Sequence, residues 1–252
     1  MPKLIVTPCT RAVARRICAD HKHAAPLPNS SKVYMLGYVD GKLAGLAVWG
    51  YGIMPRQTAS HLFGEQGHMD DYLELCRFFT YDWVPKNTSS QFLSFTHRIL
   101  RKHVPHVKWL YTYAAGFQGL IGTIYQASNY YYIGTRLAQS FWYKPGLGLI
   151  HDVAAHHRYG SRARGFDRMV QIFGDDLEKW FGYNFRYIYW LCDEAEKNRL
   201  MSTATFEILP YPTEANLEIW TKSRTGKRTD RDPKWASTVP IVQLPTRRAA
   251  EA

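Results

Sequence analysis

Leu73–His103, LELCRFFTYDWVPKNTSSQFLSFTHRILRKH, is the stretch whose reading decides the fold. Leu73–Tyr81 is dense in apolar and aromatic side chains and predicts a strand. Asp82 to Ser90 breaks the pattern with Pro85, Asn87, Thr88 and two serines. From Gln91 to His103 the apolar residues return at helical spacing, with Phe92, Phe95, Ile99 and Leu100 as the expected buried face and Arg98, Arg101 and Lys102 outside. Asn87 or Thr88 is the expected helix cap, leaving first-turn N–H groups and the hydroxyls of Ser89 and Ser90 facing outward. A helix start with free donors, a positive dipole end and Lys86 beside it suits a phosphate or pyrophosphate. The same residues also suit a plain cap, and the order of the surrounding elements is what distinguishes the two.

Upstream, Thr10–His23 predicts a short basic amphipathic helix with Val13, Ile17 and Cys18 on one side. Residues 32–50 hold two apolar runs around Asp40-Gly41, the dipeptide that favours a two-residue turn, and predict an antiparallel hairpin. Residues 51–70 are expected to be loop. Downstream, residues 107–114 predict a strand, 116–128 a second helix and 129–135 another strand. Residues 185–192 and 206–212 predict two late strands. Strand and helix alternate after an antiparallel entry, which predicts a mixed α/β sheet flanked by helices.

The 252 residues carry 32 Lys and Arg against 21 Asp and Glu, a net charge of +11. That charge suits a polyanionic partner. With 12 Phe, 17 Tyr and 8 Trp the chain also holds many rings able to stack on bases, although most rings in most proteins fill cores. No apolar run approaches the ~20 residues that cross a bilayer, and the charged start does not suit a signal peptide. Cys9, Cys18, Cys76 and Cys192 are scattered, with no Cys-x-x-Cys, so a disulfide scaffold and a zinc ribbon are disfavoured and a reduced, cytoplasmic setting is expected. Two basic regions stand out. The first is an expected insertion around 145–170, with Arg158, Arg162, Arg164 and Arg168 as a strip suited to a DNA backbone. In the second, residues 221–248 hold eight Lys and Arg and two Asp, and residues 216–252 are expected to form a basic tail that orders on a partner. His151-Asp152 and His156-His157-Arg158 read better as chance and as phosphate contacts than as catalytic pairs.

Strand, anion-binding loop, helix, strand, helix is the order that resembles the GCN5-related N-acetyltransferase (GNAT) fold. VPKNTSS stands where that fold usually carries a glycine-rich loop. Glu74-Leu-Cys76-Arg77-Phe78, Asp82 and Pro85-x-Asn87-x-Ser89-Ser90-x-Phe92-Leu93, followed by TYAAGFQGLIGTIYQASNYYYIG, resemble the Mom family of phage DNA-modification proteins. The likeness spans about residues 17–212. It implies residues 1–215 as a GNAT-like catalytic domain that uses acetyl-CoA, with iron associated with the activity. The implied reaction turns adenine in duplex DNA into its N6-carbamoylmethyl form, shielding phage DNA from restriction in the host cytoplasm. A GNAT acetyltransferase acting on a protein or small-molecule amine, and a non-catalytic DNA-binding protein of the same scaffold, are the rival readings.

The resemblance sets Arg77, Ser90 and Tyr125 on functional positions. Arg77 suits a phosphate or a substrate carbonyl near the end of its strand. Tyr125 suits proton donation to a leaving thiolate, and a core Tyr is the bland alternative. Asn87, Ser89 and Ser90 are the coenzyme ligands expected. Tyr113-Ala114-Ala115 stands where the family carries Tyr-Ala-Asp, so a carboxylate is missing; Asp82, Glu74 or the histidines would have to take its role. His21, His23 and Glu74 are the metal candidates, since imidazole suits iron, and His23 and Asp82 join the catalytic set. Tyr130–Tyr132 or Trp83 could stack on a flipped adenine.

Overall fold

The computed structural model describes residues 3–20, 27–138, 141–160, 165–214, 218–232, 238–242 and 244. The chain divides into two compact units. The first comprises Met1–Tyr113, Gly122–Gly134 and Arg186–Tyr211; the second comprises Ala114–Ile121, Thr135–Phe185 and Pro212–Ala252.

In the first unit, β1 (Leu4–Pro8), β2 (Ser31–Val39), β3 (Lys42–Gly50) and β4 (Tyr72–Thr80) run antiparallel to their neighbours. β5 (Trp109–Ala114) then pairs with β4 in parallel, which makes the sheet mixed, and β9 (Glu178–Trp190), which contributes its later residues, follows β5. The expected hairpin turn forms at Asp40 (φ 49) and Gly41 (φ 82), both left-handed as that turn demands. Helices cover both faces, as expected of the α/β class. On one, α1 (Arg11–Asp20) buries Ala14 and Cys18 against Tyr34, Leu36, Leu46 and Val48. On the other, α3 (Thr88–His103) packs Phe92 on Gly37, where an added Cβ would lie 3.1 Å from the ring, and against Phe78 at a ring separation of 5.6 Å.

Four expectations change here. The buried face of α3 is Phe92, Leu93, Thr96, His97 and Leu100, whereas Phe95 is exposed under the Arg98 guanidinium. Residues 51–70 are not all loop. Pro55 opens α2 (Pro55–Phe63), which buries Thr58, Ala59, Leu62 and Phe63. Phe63, Tyr72, Trp109, Ile188 and Trp190 then form a core with Leu200 of α7 (Glu194–Met201). Tyr72 and Trp109 stack at 4.3 Å within it, tying the start of β4 to the start of β5. The helix expected over 116–128 shrinks to one turn, α4 (Thr123–Gln126), because Gly119 (φ 77) and Gly122 (φ 78) interrupt it. In the 206–212 segment, Leu209 makes an isolated bridge to Tyr132 of β6 (Tyr131–Ala138).

In the second unit the region expected to be an insertion or surface helix is a folded core. β7 (Phe141–Lys144) and β8 (Gly148–His151) form a hairpin, followed by α5 (Asp152–Tyr159) and α6 (Phe166–Phe173). Trp142, Ile150, Ala155, Met169, Val170 and Leu177 pack together. A tail was expected from residue 216. Instead, β10 (Ile219–Ser223) and β11 (Arg228–Arg231) make a hairpin on the early residues of β9, and β12 (Ile241–Val242) pairs with β8. Buried Ile219 and Thr221 anchor it, a two-residue periodicity that the surrounding charge obscures.

Gly45 faces Gly37 across the β2–β3 pair, and an added Cβ would come within 2.3 Å of the Phe79 carbonyl oxygen. Gly45→Ala is expected to cost about 1–3 kcal/mol by overpacking. Urea unfolding checks this as a lower midpoint at unchanged slope.

Candidate active site

β4 and β5 pair only at Tyr72↔Trp109, Leu73↔Leu110 and Glu74↔Tyr111. Just beyond, β4 departs from regular pairing with β3 as well. Val48 pairs with Arg77 and Trp49 with Leu75, so Cys76 is the extra residue of a bulge. A bulge of this kind bends its strand and re-aims the side chains that follow. Cys76 and Phe79 pack toward α1, while Phe78 meets α3. Pairing is thus lost between the later residues of β4 and Thr112–Tyr113 of β5, at the carboxyl ends of parallel strands, where α/β proteins place their crevices.

Arg77 lies half-buried on this stretch of β4, and its guanidinium donates to the Cys76 carbonyl at 2.5 Å. Burial pulls its pKa down, offset by the nearby Cys76, Cys18 and Glu74. Cys76 itself is pushed up to about 12, by burial and then by Glu74, so it is a thiol at neutral pH. The Glu74 carboxylate lies against Gly52, where a Cβ would meet its Oε2 at 2.3 Å.

The start of α3 differs in detail from the expected cap. Asn87 is left-handed (φ 67), and its side chain makes no capping bond, because that backbone conformation is not the extended one a capping side chain uses. Its carbonyl instead accepts from the Gln91 N–H at 3.1 Å and from the Ser90 hydroxyl at 3.0 Å. Ser89 turns its hydroxyl to Thr80, 2.6 Å away, locking the end of β4 to the helix. Neither hydroxyl is simply outward-facing. What stays free, among the described residues, are the backbone N–H groups of Ser89 and Ser90, with exposed Lys86 nearby in the loop. Asp82 and Trp83 are exposed in that loop, and Lys42 stands 4.3 Å from the Trp83 ring centre.

Tyr125 projects from α4 with its ring against Tyr130 at 5.5 Å and Tyr187 at 5.4 Å. Burial raises its pKa, and a hydrogen bond with Thr112 of β5 counteracts the rise. Gly122 is required beside it, since a Cβ there would lie 2.5 Å from the Tyr187 ring. Of the ring candidates for base stacking, Tyr130 and Tyr132 are buried, Tyr131 is half-buried with Lys197 over its ring, and Trp83 is exposed. The Tyr130 hydroxyl meets His97 Nε2 at 2.9 Å, a buried pair. Thr80, Thr112, Tyr187 and His97 were all missed by sequence reasoning. Buried threonines and tyrosines look like core until their neighbours are known.

His21 and His23 lie outside the described residues. Among the described residues no group of three His, Cys, Asp or Glu side chains is arranged to hold a metal, and Glu74 has no such company. Of the basic strip, Arg162 and Arg164 also lie outside. Arg168 bonds Gln171, and Arg158 covers the Tyr159 ring. Asp152 pairs with Lys179 at 2.6 Å. In the expected tail, Arg224 pairs with Asp167 and Asp175, Arg228 with Glu218 and Asp230, and Arg231 with Glu178.

The sequence profile of the Mom protein family matches residues 3–213. The chain belongs to the Mom protein family. This Mom-family chain is 28% identical over 205 residues to the methylcarbamoylase Mom of Escherichia phage Mu, covering 79% of this chain and 80% of that protein. Among solved structures, aminoglycoside acetyltransferase AAC(6')-Ib in complex with coenzyme A matches at 10% identity and TM-score 0.40, over 53% of this chain and 87% of that one. The ribosomal-protein-S18-alanine N-acetyltransferase of Escherichia coli matches at 10% identity and TM-score 0.39, over 76% and 97%. Among the described residues no helix is long and apolar enough to cross a membrane.

Burial, and then the Arg101 charge, pull the His97 pKa from 6.5 down to about 3. The unfolded chain therefore takes up a proton that the folded chain refuses. Stability is full above the unfolded value and falls on acidification from there toward about 3, at about 1.4 kcal/mol per pH unit. His97→Gln keeps a partner for Tyr130 and is expected to remove this slope. Urea unfolding at several pH values inside that window reads the difference.

Proposed function

We propose that this chain modifies DNA as the phage Mu relative's name implies, joining a carbamoylmethyl group to N6 of adenine in duplex DNA and shielding that DNA from restriction. The phage Mu likeness, at 28% identity over 205 residues, carries the reading. The end of β4 and the start of α3 support it with groups that suit the chemistry. The Ser89 and Ser90 N–H groups and Lys86 fit the pyrophosphate of acetyl-CoA, which would supply the two-carbon unit as a thioester. An amine would supply the amide nitrogen, and a separate two-electron oxidant would be needed to join the methyl carbon to N6. Arg77, on β4, holds substrate. Tyr125 gives a proton to the departing sulfur. Asp82, exposed next to Trp83, is the carboxylate available to take a proton from the acceptor, and Trp83 stacks on the extruded base.

The catalytic role falls to residues 1–215, with DNA contacts from the basic residues of 145–170 and 216–252, in the cytoplasm of the phage's host. Iron finds no ligand set among the described residues, and no step is routed through it. A plain N-acetyltransferase would use the same anion site but leave the +11 charge idle.

Nucleoside mass spectrometry of DNA from cells expressing the protein tests the reading. The expected product is N6-carbamoylmethyladenine. N6-acetyladenine, or unmodified DNA together with acetylation of another amine, makes the chain an ordinary acetyltransferase. Ser90→Asp sets a carboxylate against the donors of α3 and is expected to weaken acetyl-CoA binding about tenfold or more in calorimetry. Unchanged affinity moves the coenzyme elsewhere, and no affinity in the wild type makes the protein a DNA binder without this chemistry. DNA affinity is expected to fall linearly with salt on a log–log plot, with a shallower slope once residues 222–252 are deleted.

A further inference from the structure

Between Asp82 and Asp152 the sequence carries no Asp or Glu, yet the same stretch holds seven Lys and Arg. Cations in such a run must draw counter-charges from elsewhere in the fold or leave them to a partner. Several are settled within the protein. Lys108 bridges Asp71 at 3.2 Å and Glu196 at 2.9 Å. Lys144 pairs with Asp176. The Arg101 guanidinium donates to the carbonyls of Leu191 at 3.1 Å and Trp190 at 3.3 Å, which fastens the end of α3 to the end of β9. Lys86 belongs to the anion site proposed above, and Arg136 is exposed on β6 in the second unit.

Arg98 and Lys102 are left. Both are exposed on α3, and neither meets an acid among the described residues. Gln91, Phe95, Arg98 and Lys102 follow one another at spacings of four, three and four, so they form one outward stripe, opposite buried Phe92, Leu93, Thr96, His97 and Leu100. The Arg98 guanidinium lies 5.1 Å from the Phe95 ring centre, a contact that holds a long side chain on the helix surface. Cations in the last turn of a helix complement its dipole, and that accounts for Lys102 taken alone. Arg98 stands before the last turn, where the dipole effect has fallen off.

We infer that this stripe of α3 is a docking surface for the phosphate backbone of duplex DNA, with Arg98 and Lys102 each taking a phosphate. The inference rests on the DNA-modifying role proposed above and adds a contact to those given there. A duplex carries a phosphate about every 3.4 Å of axis on each strand. Side chains four apart on a helix stand about 6 Å apart, so the two cations reach different phosphates. Contacts of this kind carry no sequence information; they fix where the duplex lies. A guanidinium already held on Phe95 loses less freedom on docking than one that is loose. Arg224 and Arg228 are less suited, because each would first have to give up the acids it already meets.

Fluorescence anisotropy of a labelled duplex at several salt concentrations tests the surface. It compares full-length wild type with the double variants Arg98→Gln/Lys102→Gln and Arg224→Gln/Arg228→Gln. Each lost phosphate contact removes about 0.9 from the log–log salt slope, so the α3 pair is expected to lower the slope by about 1.8 and low-salt affinity by about tenfold or more. Calorimetric affinity for acetyl-CoA is expected to stay unchanged, and the second-unit pair to change the slope by less than about 0.9. If the α3 double variant does not fold, Arg98→Gln alone decides, with an expected slope loss of about 0.9. A lower urea midpoint at the wild-type slope reduces the stripe to a helix-dipole role and overturns the inference. So does a wild type that binds polyglutamate of equal charge more tightly than the duplex, which assigns the stripe to an acidic protein. A wild-type slope in the α3 variant, with N6-carbamoylmethyladenine still formed, overturns the surface and leaves the proposed function standing. A wild type that binds no duplex even at low salt overturns both.

Discussion

Parallel pairing between β4 and β5 ends after three residues, and the rest of the candidate site depends on that ending. The start of the pair is held by the stacked rings of Tyr72 and Trp109, deep in a core that includes Phe63 and Trp190. Beyond Glu74 the bulge at Cys76 turns β4 out of register with β3 at the same point where it parts from β5. Strand polar groups that lose a partner this way must find another or face solvent. Here the Arg77 guanidinium takes the Cys76 carbonyl, and Thr80 takes the Ser89 hydroxyl. Polar side chains thus serve the groups that the sheet itself has released.

The same region shows how burial tunes chemistry. The phenols of Tyr125, Tyr130 and Tyr187 all hold their protons more tightly than usual because their anions would be desolvated. His97, by the same cause with the opposite sign, stays neutral and serves Tyr130. A tyrosine cluster of this kind keeps its protons at neutral pH.

Some cations are matched to acids and others are not. In the second unit, Arg224, Arg228 and Arg231 are already matched to acids, so a run that looks strongly cationic in sequence presents less free charge. In the first unit, Lys86 and the exposed end of α1 with Arg15 and Arg16 have no such matches among the described residues. Exposed ion pairs of this sort are worth little individually, but they decide where an unscreened positive field remains.

The sequence by itself determined the elements whose identity is written locally. The Asp40-Gly41 hairpin needs two left-handed residues and has them. The strand, loop and helix over Leu73–His103 follow from side-chain period alone, and the mixed α/β class follows from the order of elements. Arg77, Ser90 and Tyr125 came from motif likeness; the structure sets Arg77 on β4, Tyr125 on α4 and Ser90 at the helix start that follows β4. What only the tertiary structure decided were properties set by distant neighbours. Asn87 forgoes its capping bond because the backbone there turns left-handed. Tyr130 and Tyr132 are buried because β9 and α3 close over them, a contact that no local pattern encodes. The 219–231 hairpin escapes composition because alternate residues, Ile219 and Thr221, are buried while their neighbours carry the charge.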